Sequence, residues 1–349
     1  MKKALIVLLI LALAGGLFAQ DISFSGHVQT GMFIDILKAD DDVHVRADDD
    51  DAGVPVRADF TAAVDDGNWG AVIGFRSDTG NAYVHNAYGW LKPVDMLKIS
   101  AGIIDDGIWG TRGELDDGVA TGGGLRFEIM PIDGLNLGAF FSYPHGTGVY
   151  AEKIGNFFGE TAFGFEYEAD AFYVSAALKL FSEETDGSAN GYENKIDDTD
   201  MKLIFGAGVN LGALALELSG KVDHLGSYGD VGWAEIYEEA KFGVSDALQV
   251  GLLLGEALQG PDPSGLVGLK VKPWVEFAVN DAVSVGADVG VEMWDIGDGL
   301  GLARIFGDLW GKYTIGGGWM QAGYGFENLT KDYGDALNHY IKLVFGFDF

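Results

Sequence analysis

The sequence predicts an all-β chain that folds as a transmembrane antiparallel up-and-down β-barrel of 18 strands, with 16 strands as the alternative. Three observations support this fold class. Apolar and polar residues alternate with period 2, the connectors between alternating segments are short and long in turn, and the composition combines 48% hydrophobic residues with a net charge of -31. Mean hydropathy is nevertheless +0.14. Apolar and acidic residues must therefore occupy different surfaces, and strands separate them.

The N-terminal segment predicts export. Lys2 and Lys3 precede an apolar run from Ala4 to Ala14, and cleavage after Ala19 suits a secretory signal peptide. An uncleaved membrane anchor is the alternative, but the run is shorter than the roughly 20 residues that span a bilayer. We therefore expect residues 1–19 to be a signal peptide and residues 20–349 to form a single transmembrane β-barrel domain.

The alternating segments show which face of each strand is apolar. In FGFEYE, Phe163 and Phe165 face one way while Glu166 and Glu168 face the other. Eighteen such segments are predicted, with short turns at one end and longer loops at the other, which is typical of outer-membrane barrels. Such a sheet must close, because hydrocarbon leaves no partner for an unpaired backbone N–H or C=O group.

Most of the negative charge belongs to the longer connectors, which are predicted to lie outside the cell. These nine connectors hold 27 acidic residues and only six basic ones. Such a surface excludes nucleic acid as a partner. It is either a solvated, repulsive surface or a vestibule that concentrates cations. Asp48–Gly53 departs from a calcium loop because Ala52 occupies a ligand position, so neither a metal nor a cofactor is predicted.

The candidate pore lining consists of charged residues that the period-2 alternation places on the inner face of the barrel. Arg57, Arg76 and Arg126 lie on the polar faces of their segments, and the third long connector, residues 104–118, carries acidic residues and Trp109. The connector resembles the long third loop of general porins, which folds into the lumen and narrows it. The resemblance implies a pore constriction in which Trp109 anchors the loop and the loop carboxylates face the basic wall. Its candidate residues are Arg57, Arg76, Arg126, Asp105, Asp106, Glu114, Asp116 and Asp117. A charge network that only stiffens the wall is the alternative.

The last strand carries a second family resemblance. Phe345, Phe347 and Phe349 alternate along YIKLVFGFDF, with Phe349 at the C-terminus. This pattern resembles the C-terminal assembly signal of Gram-negative outer-membrane proteins and implies the barrel-assembly machinery as a partner. Two other segments, GLRFEIMPIDGLNLGAFFS and AYGWLKPVDMLKISAGIIDDGIWG, resemble those of spirochaetal outer-membrane porins. Aromatic residues near strand ends are predicted to form interfacial girdles, namely Trp69, Trp90, Trp109, Trp310, Tyr324 and Phe349.

The porin resemblance implies a function and a location. We expect a water-filled channel in the cell outer membrane for passive diffusion of small hydrophilic solutes, with a preference for cations. Its partners would be outer-membrane lipid, the solutes and, in a homotrimer, further copies of the chain. No enzyme is predicted, since G-x-S-x-G, P-loop and H-E-x-x-H motifs are absent. The alternatives are a non-transporting adhesin or structural barrel, a sugar-specific porin using Trp274 and Trp319, and a soluble periplasmic β-protein.

Overall fold

A computed structural model describes most of the barrel wall and one of the long loops. The described residues are 22–37, 43–46, 57–78, 81–115, 117–120, 122–142, 161–181, 200–223, 225, 233–259, 265–294, 301–329 and 337–349. The predicted signal peptide, Asp116 and the Asp48–Gly53 segment lie outside them.

Strands account for nearly all of the described residues. They are β1 (Ile22–Leu37), β2 (Val43–Arg46), β3 (Arg57–Asp65), β4 (Trp69–Asp78), β5 (Asn81–Val94), β6 (Leu97–Ile104), β7 (Gly122–Ile129), β8 (Leu135–Ser142), β9 (Thr161–Ala169), β10 (Phe172–Phe181), β11 (Asp200–Asn210), β12 (Leu214–Asp223), β13 (Trp233–Gly243), β14 (Leu248–Gln259), β15 (Gly265–Asn280), β16 (Val283–Trp294), β17 (Gly301–Ile315), β18 (Gly318–Leu329) and β19 (Leu337–Asp348). Within this described part of the chain, no helix is long and apolar enough to cross a membrane.

The strands form one closed antiparallel sheet with 18 positions. From β3 to β19 each strand pairs with the next, and β1 pairs with β19 on one side. On its other side β1 pairs with β3 through residues 22–29 and with the short β2 through residues 33–36. β2 therefore shares one wall position with β3. The predicted 18-strand barrel is confirmed and the 16-strand alternative is wrong.

The first long connector differs locally from the prediction. Residues 38–53 are the first of the nine predicted connectors, yet Val43–Arg46 within them form the strand β2. The reason is the length of β1, which extends beyond the end of β3 and offers unpaired backbone groups at residues 33–36. A strand edge of this kind is satisfied by pairing with neighbouring chain.

The pairing registers confirm the two faces of the wall. Ser100, Arg126, Phe140 and Ala162 stand opposite one another on successive strands and face the lumen. The outward residues are apolar and exposed, such as Leu309, which is 61% exposed. Apolar groups in this position suit contact with lipid.

The aromatic-girdle prediction is only partly right. Trp69, Tyr324 and Phe349 lie outward and are exposed. Trp90 and Trp310 instead cover the inward glycines Gly70 and Gly286, and Trp109 is also inside. The prediction relied on the nearness of these residues to strand ends. The alternation of side chains along a strand decides whether an aromatic residue faces lipid or the lumen.

The C-terminal residue completes the seam where the sheet closes. β1 and β19 pair from His27–Asp348 to Leu37–Asn338. Phe349 adds two further backbone hydrogen bonds: its N–H donates to the Gly26 carbonyl at 3.0 Å, and the Gly26 N–H donates to the Phe349 carbonyl at 2.9 Å. The ring of Phe349 covers Gly26, where a β-carbon would lie 2.8 Å from the ring atom Cε1.

Candidate pore constriction

The connector between β6 and β7 folds into the barrel. Its apolar residues join an internal cluster with lumen-facing side chains of β8 to β11. Trp109 is 0% exposed, and Val119 and Ala120 are also buried. The buried members of the cluster are Ile104, Trp109, Val119, Ala120, Phe140, Ala162, Ala177 and Ile204. Burial of these apolar groups, which would otherwise meet water in the lumen, holds the loop against this part of the wall.

Trp109 lies in a notch made by two glycines. Gly138 of β8 and Gly164 of β9 are directly paired across the sheet. A β-carbon would lie 2.6 Å from the indole at Gly138 and 2.5 Å from it at Gly164, so any side chain there would displace the ring. Trp109 also has a φ of 57°, a left-handed conformation that non-glycine residues seldom adopt. The buried indole compensates for this backbone strain.

The start of the loop is held by a buried ion cluster. Arg126 is 0% exposed and donates to both carboxylate oxygens of Asp106, at 2.6 and 2.5 Å. Its Nε also donates to Glu128 at 3.1 Å. Burial alone would raise the pKa of Asp106, but the hydrogen bonds and charge of Arg126 outweigh it and hold the pKa below its usual range.

The middle of the loop is attached to β9 and β10. Arg112 donates to Glu166 and to Glu168, each at 2.8 Å, and its guanidinium lies 4.2 Å from the ring centre of Tyr173. The Ser175 hydroxyl donates to the Gly110 carbonyl at 2.8 Å. These contacts keep the loop along the wall between its two ends.

The tip of the loop reaches the opposite wall. The Nζ of Lys270 on β15 donates to the Glu114 carboxylate at 2.8 Å. β15 lies nine of the 18 positions from β6, where the loop begins, so this contact joins opposite sides of the barrel. Burial alone would raise the pKa of Glu114, but Lys270 and Lys272 outweigh it and hold the pKa below its usual range.

The other predicted residues have different partners. Asp117 accepts a hydrogen bond from Lys202. Asp105 lies 4.0 Å from Arg76, which also donates to Asp59 at 2.8 Å. Arg57 contacts the same wall carboxylate at 2.7 Å, and no loop carboxylate is recorded beside it in the described structure.

Several contact residues were not among the sequence candidates for the constriction. The alternation of the sequence also places Lys202 and Lys270 on the inner face of the wall, but it does not show that they contact the loop. Phe140, Ala162, Ala177 and Ile204 are apolar at lumen-facing positions of four consecutive strands, whereas the neighbouring wall is charged. These apolar residues on an otherwise polar inner face are the feature of the sequence that could have predicted a loop covering this part of the wall.

Beyond Lys270, β16 to β19 carry mixed charges on the inner wall. Arg304 lies 3.3 Å from Glu292 and 2.9 Å from Glu327, and Lys342 lies 3.0 Å from Asp308. Charges of both signs therefore line the wall that the loop does not cover. Among the residues whose positions are described, no cluster of three or more His, Cys, Asp or Glu side chains suits a metal ion.

Comparisons with solved structures agree on the fold. The outer membrane protein OmpT of Vibrio cholerae, folded in vitro, shares 15% identity at a TM-score of 0.53, covering 95% of this chain and 98% of that chain. Its trimer form gives 15% identity and a TM-score of 0.50, covering 95% and 99% of the two chains. A mutant of Rh. blastica porin shares 13% identity at a TM-score of 0.50, covering 94% and 100%.

No family model matches the sequence, and no curated protein matches it. At these identities the likeness to solved structures concerns the fold, which is that of an outer-membrane β-barrel. The predicted outer-membrane location agrees with this fold and with the apolar outer surface of the barrel.

Proposed function

We propose that this protein is an outer-membrane porin, a water-filled channel for passive diffusion of small hydrophilic solutes. The observation that carries the proposal is the internal loop, which lies along β8 to β11 and contacts Lys270 on the opposite wall. A loop in this position narrows the lumen, and its contact with the opposite wall is a charged pair instead of apolar core. The uncovered wall keeps charged groups of both signs, which favour hydrated solutes over apolar ones.

We include cation preference in the proposal. The long connectors hold 27 acidic and six basic residues, so a cation approaching the outer mouth meets an attractive potential. Many of these acids lie outside the described residues, and their contribution is argued from the sequence alone. The proposal includes no catalytic activity.

Planar-bilayer recording tests both parts. The purified chain should give discrete conductance steps, and a KCl gradient should give a reversal potential of the sign expected for K⁺ preference. High salt should weaken this preference, because it screens exposed loop charges. Absence of steps would indicate the alternative, a non-transporting barrel. Anion preference would contradict the selectivity and leave the channel intact.

The proposed partners are those expected of an outer-membrane porin. Outer-membrane lipid would contact the apolar belt, the barrel-assembly machinery would recognise the strand ending in Phe345, Phe347 and Phe349, and hydrophilic solutes or cations would enter the lumen. A homotrimer is proposed from the trimer form of one similar structure. Mass measurement of the detergent-solubilised protein by light scattering tests it.

A sugar-specific porin is the second candidate, and inward tryptophans favour it. Trp274 and Trp319 face the lumen and lie against Gly251 and Gly346 of neighbouring strands. Flat indoles on a pore wall can stack on the apolar faces of sugar rings. Block of ion current by maltose or a longer oligosaccharide, lost in Trp274→Ala, would favour this candidate over the general channel.

A further inference from the structure

Two charged side chains lie on the lipid-facing surface. Glu238 on β13 pairs with Leu218 and Leu254, and Glu256 on β14 pairs with Ile236 and Leu269. Their parity is outward, and both are exposed. Every other charged side chain described in the strands has inward parity, so this pair is an exception to the sorting of charge in the wall.

The two carboxylates form one patch at membrane depth. Glu256 is two residues beyond Leu254, the partner of Glu238, so the two are diagonal neighbours on one face. Glu238 is five residues and Glu256 eight residues from the ends of their strands at the short 244–247 turn. A rise of about 3.3 Å per residue and a tilt of about 45° place them roughly 12 and 19 Å above that end. Both depths fall within an apolar band about 25 Å tall.

Lipid alone is a poor environment for this patch. The surrounding outward side chains, including Leu216 and Leu252, are apolar, and no ion pair or hydrogen bond of either carboxylate is recorded among the described residues. A charged group facing hydrocarbon is costly and commonly marks a contact with protein. Both positions could have been apolar without changing the barrel, as they are on neighbouring strands.

We infer that Glu238 and Glu256 form a docking site for another membrane protein that presents a lysine or arginine to the bilayer. The partner is inferred from charge complementarity, because two carboxylates are matched by a basic side chain. A cation at this depth would pair with the carboxylates, and their attraction would offset part of the desolvation cost of both partners. A second copy of this chain lacks the complement, because the described strand lysines and arginines point into the lumen.

The test uses the absence of cysteine, which permits single-site labelling of the full chain. Leu252→Cys, beside the patch, and Leu309→Cys, on the outward face of β17, each carry a fluorophore after reconstitution into phosphatidylcholine vesicles. The probe is a synthetic transmembrane Leu/Ala helix with one central lysine and a quencher. A matched helix carries glutamine instead of lysine.

We expect the lysine helix to quench the Leu252→Cys label at about one fifth of the density that the glutamine helix needs. The difference should disappear in Glu238→Gln/Glu256→Gln and be absent at Leu309→Cys. Equal quenching by both helices, or quenching unchanged by the double substitution, overturns the proposal. Heat-modifiable migration in detergent gels confirms that each variant has folded.

A second arm examines the cell's own outer membrane. A lipid-soluble thiol reagent should modify Leu252→Cys more slowly than Leu309→Cys, and Glu238→Gln/Glu256→Gln should remove the protection. Equal rates overturn the proposal. A second copy of this chain could instead cover the surface around Leu252. In that case the protection would persist in the purified protein, depend on its dilution and survive the double substitution, and this result also overturns the proposal. Channel conductance tests the proposed function separately.

Discussion

The carboxylate of Glu114 and the ammonium of Lys270 meet at 2.8 Å, although their backbones belong to opposite sides of the barrel. Glu114 lies in the internal loop and Lys270 on the wall that the loop otherwise leaves uncovered. The position of the loop tip therefore depends on a contact between two partly exposed groups.

Breaking this contact should alter the channel more than it alters the barrel. We expect Lys270→Met to free the loop tip and change single-channel conductance with larger current fluctuations. Stability should change by about 1 kcal/mol or less, because partly exposed ion pairs contribute little. The exchange Glu114→Lys/Lys270→Glu should restore a steadier current if the pair acts by attraction. Lys312→Met, an inward lysine beside Trp319, is the control. Identical traces for Lys270→Met and the unmodified protein would contradict this role.

The glycine notch should control the loop from the wall side. We expect Gly164→Val to displace Trp109 and to have the same effect on conductance as Trp109→Ala. Either change removes large apolar contacts, worth about 3–5 kcal/mol for a buried tryptophan. Limited proteolysis should then cut between residues 105 and 120.

The matched control for the notch is Gly311→Ala. The nearest atom to a β-carbon at Gly311 is 3.8 Å away, so this change needs no displacement. Resistance of Gly164→Val to proteolysis, equal to that of Gly311→Ala, would show that Trp109 does not anchor the loop.

Arg126 should be the most sensitive of the predicted arginines. Arg126→Met removes a fully buried cation from between Asp106 and Glu128, so Asp106 loses its bidentate partner and, among the described residues, Glu128 keeps only Lys98 and Asn136. We expect a loss of about 3–5 kcal/mol in unfolding free energy. Arg57→Met should cost much less, since Arg57 is 33% exposed. Urea titration of the two variants in detergent checks the difference. Equal losses would contradict the distinction.

The loop contacts should survive mild acid. The pKa values of Asp106 and Glu114 lie below their ordinary values of 3.8 and 4.5, so both contacts stabilise the loop at higher pH. This stabilisation is lost as pH falls through the lowered values. We expect current fluctuations to stay constant from pH 7 to about pH 4.5 and to rise below it. Glu114→Gln should show increased fluctuations already at pH 7. A transition near pH 6 in the unmodified channel would point to other groups.

The seam should govern assembly. Gly26→Val places a side chain against the Phe349 ring and against the Asp59 carbonyl, which would be 2.8 Å from the β-carbon. Because β1 and β19 can close only if these atoms fit, we expect a smaller heat-modifiable fraction. Gly311→Ala again serves as the control. Normal assembly of Gly26→Val would show that the close fit between Gly26 and Phe349 is dispensable.

The sequence by itself determined the antiparallel up-and-down barrel and the two faces of its wall, and the strand pairings then decided for 18 strands over 16. A one-residue shift of register would place Arg126 or Lys270 in lipid, so the alternation of side chains leaves one choice of face. Glu238 and Glu256 show the limit of this reasoning. Only the pairing registers place them on the outer surface as neighbours.

Only the tertiary structure decided which acid meets which base. Alternation shows that Lys270 points inward, but a long loop can reach many inward groups, and local sequence does not determine where it lies. The paired glycines at 138 and 164 and the apolar patch on β8 to β11 position the loop by burying Trp109. That burial depends on residues far apart in the chain, and closure of the barrel brings them together.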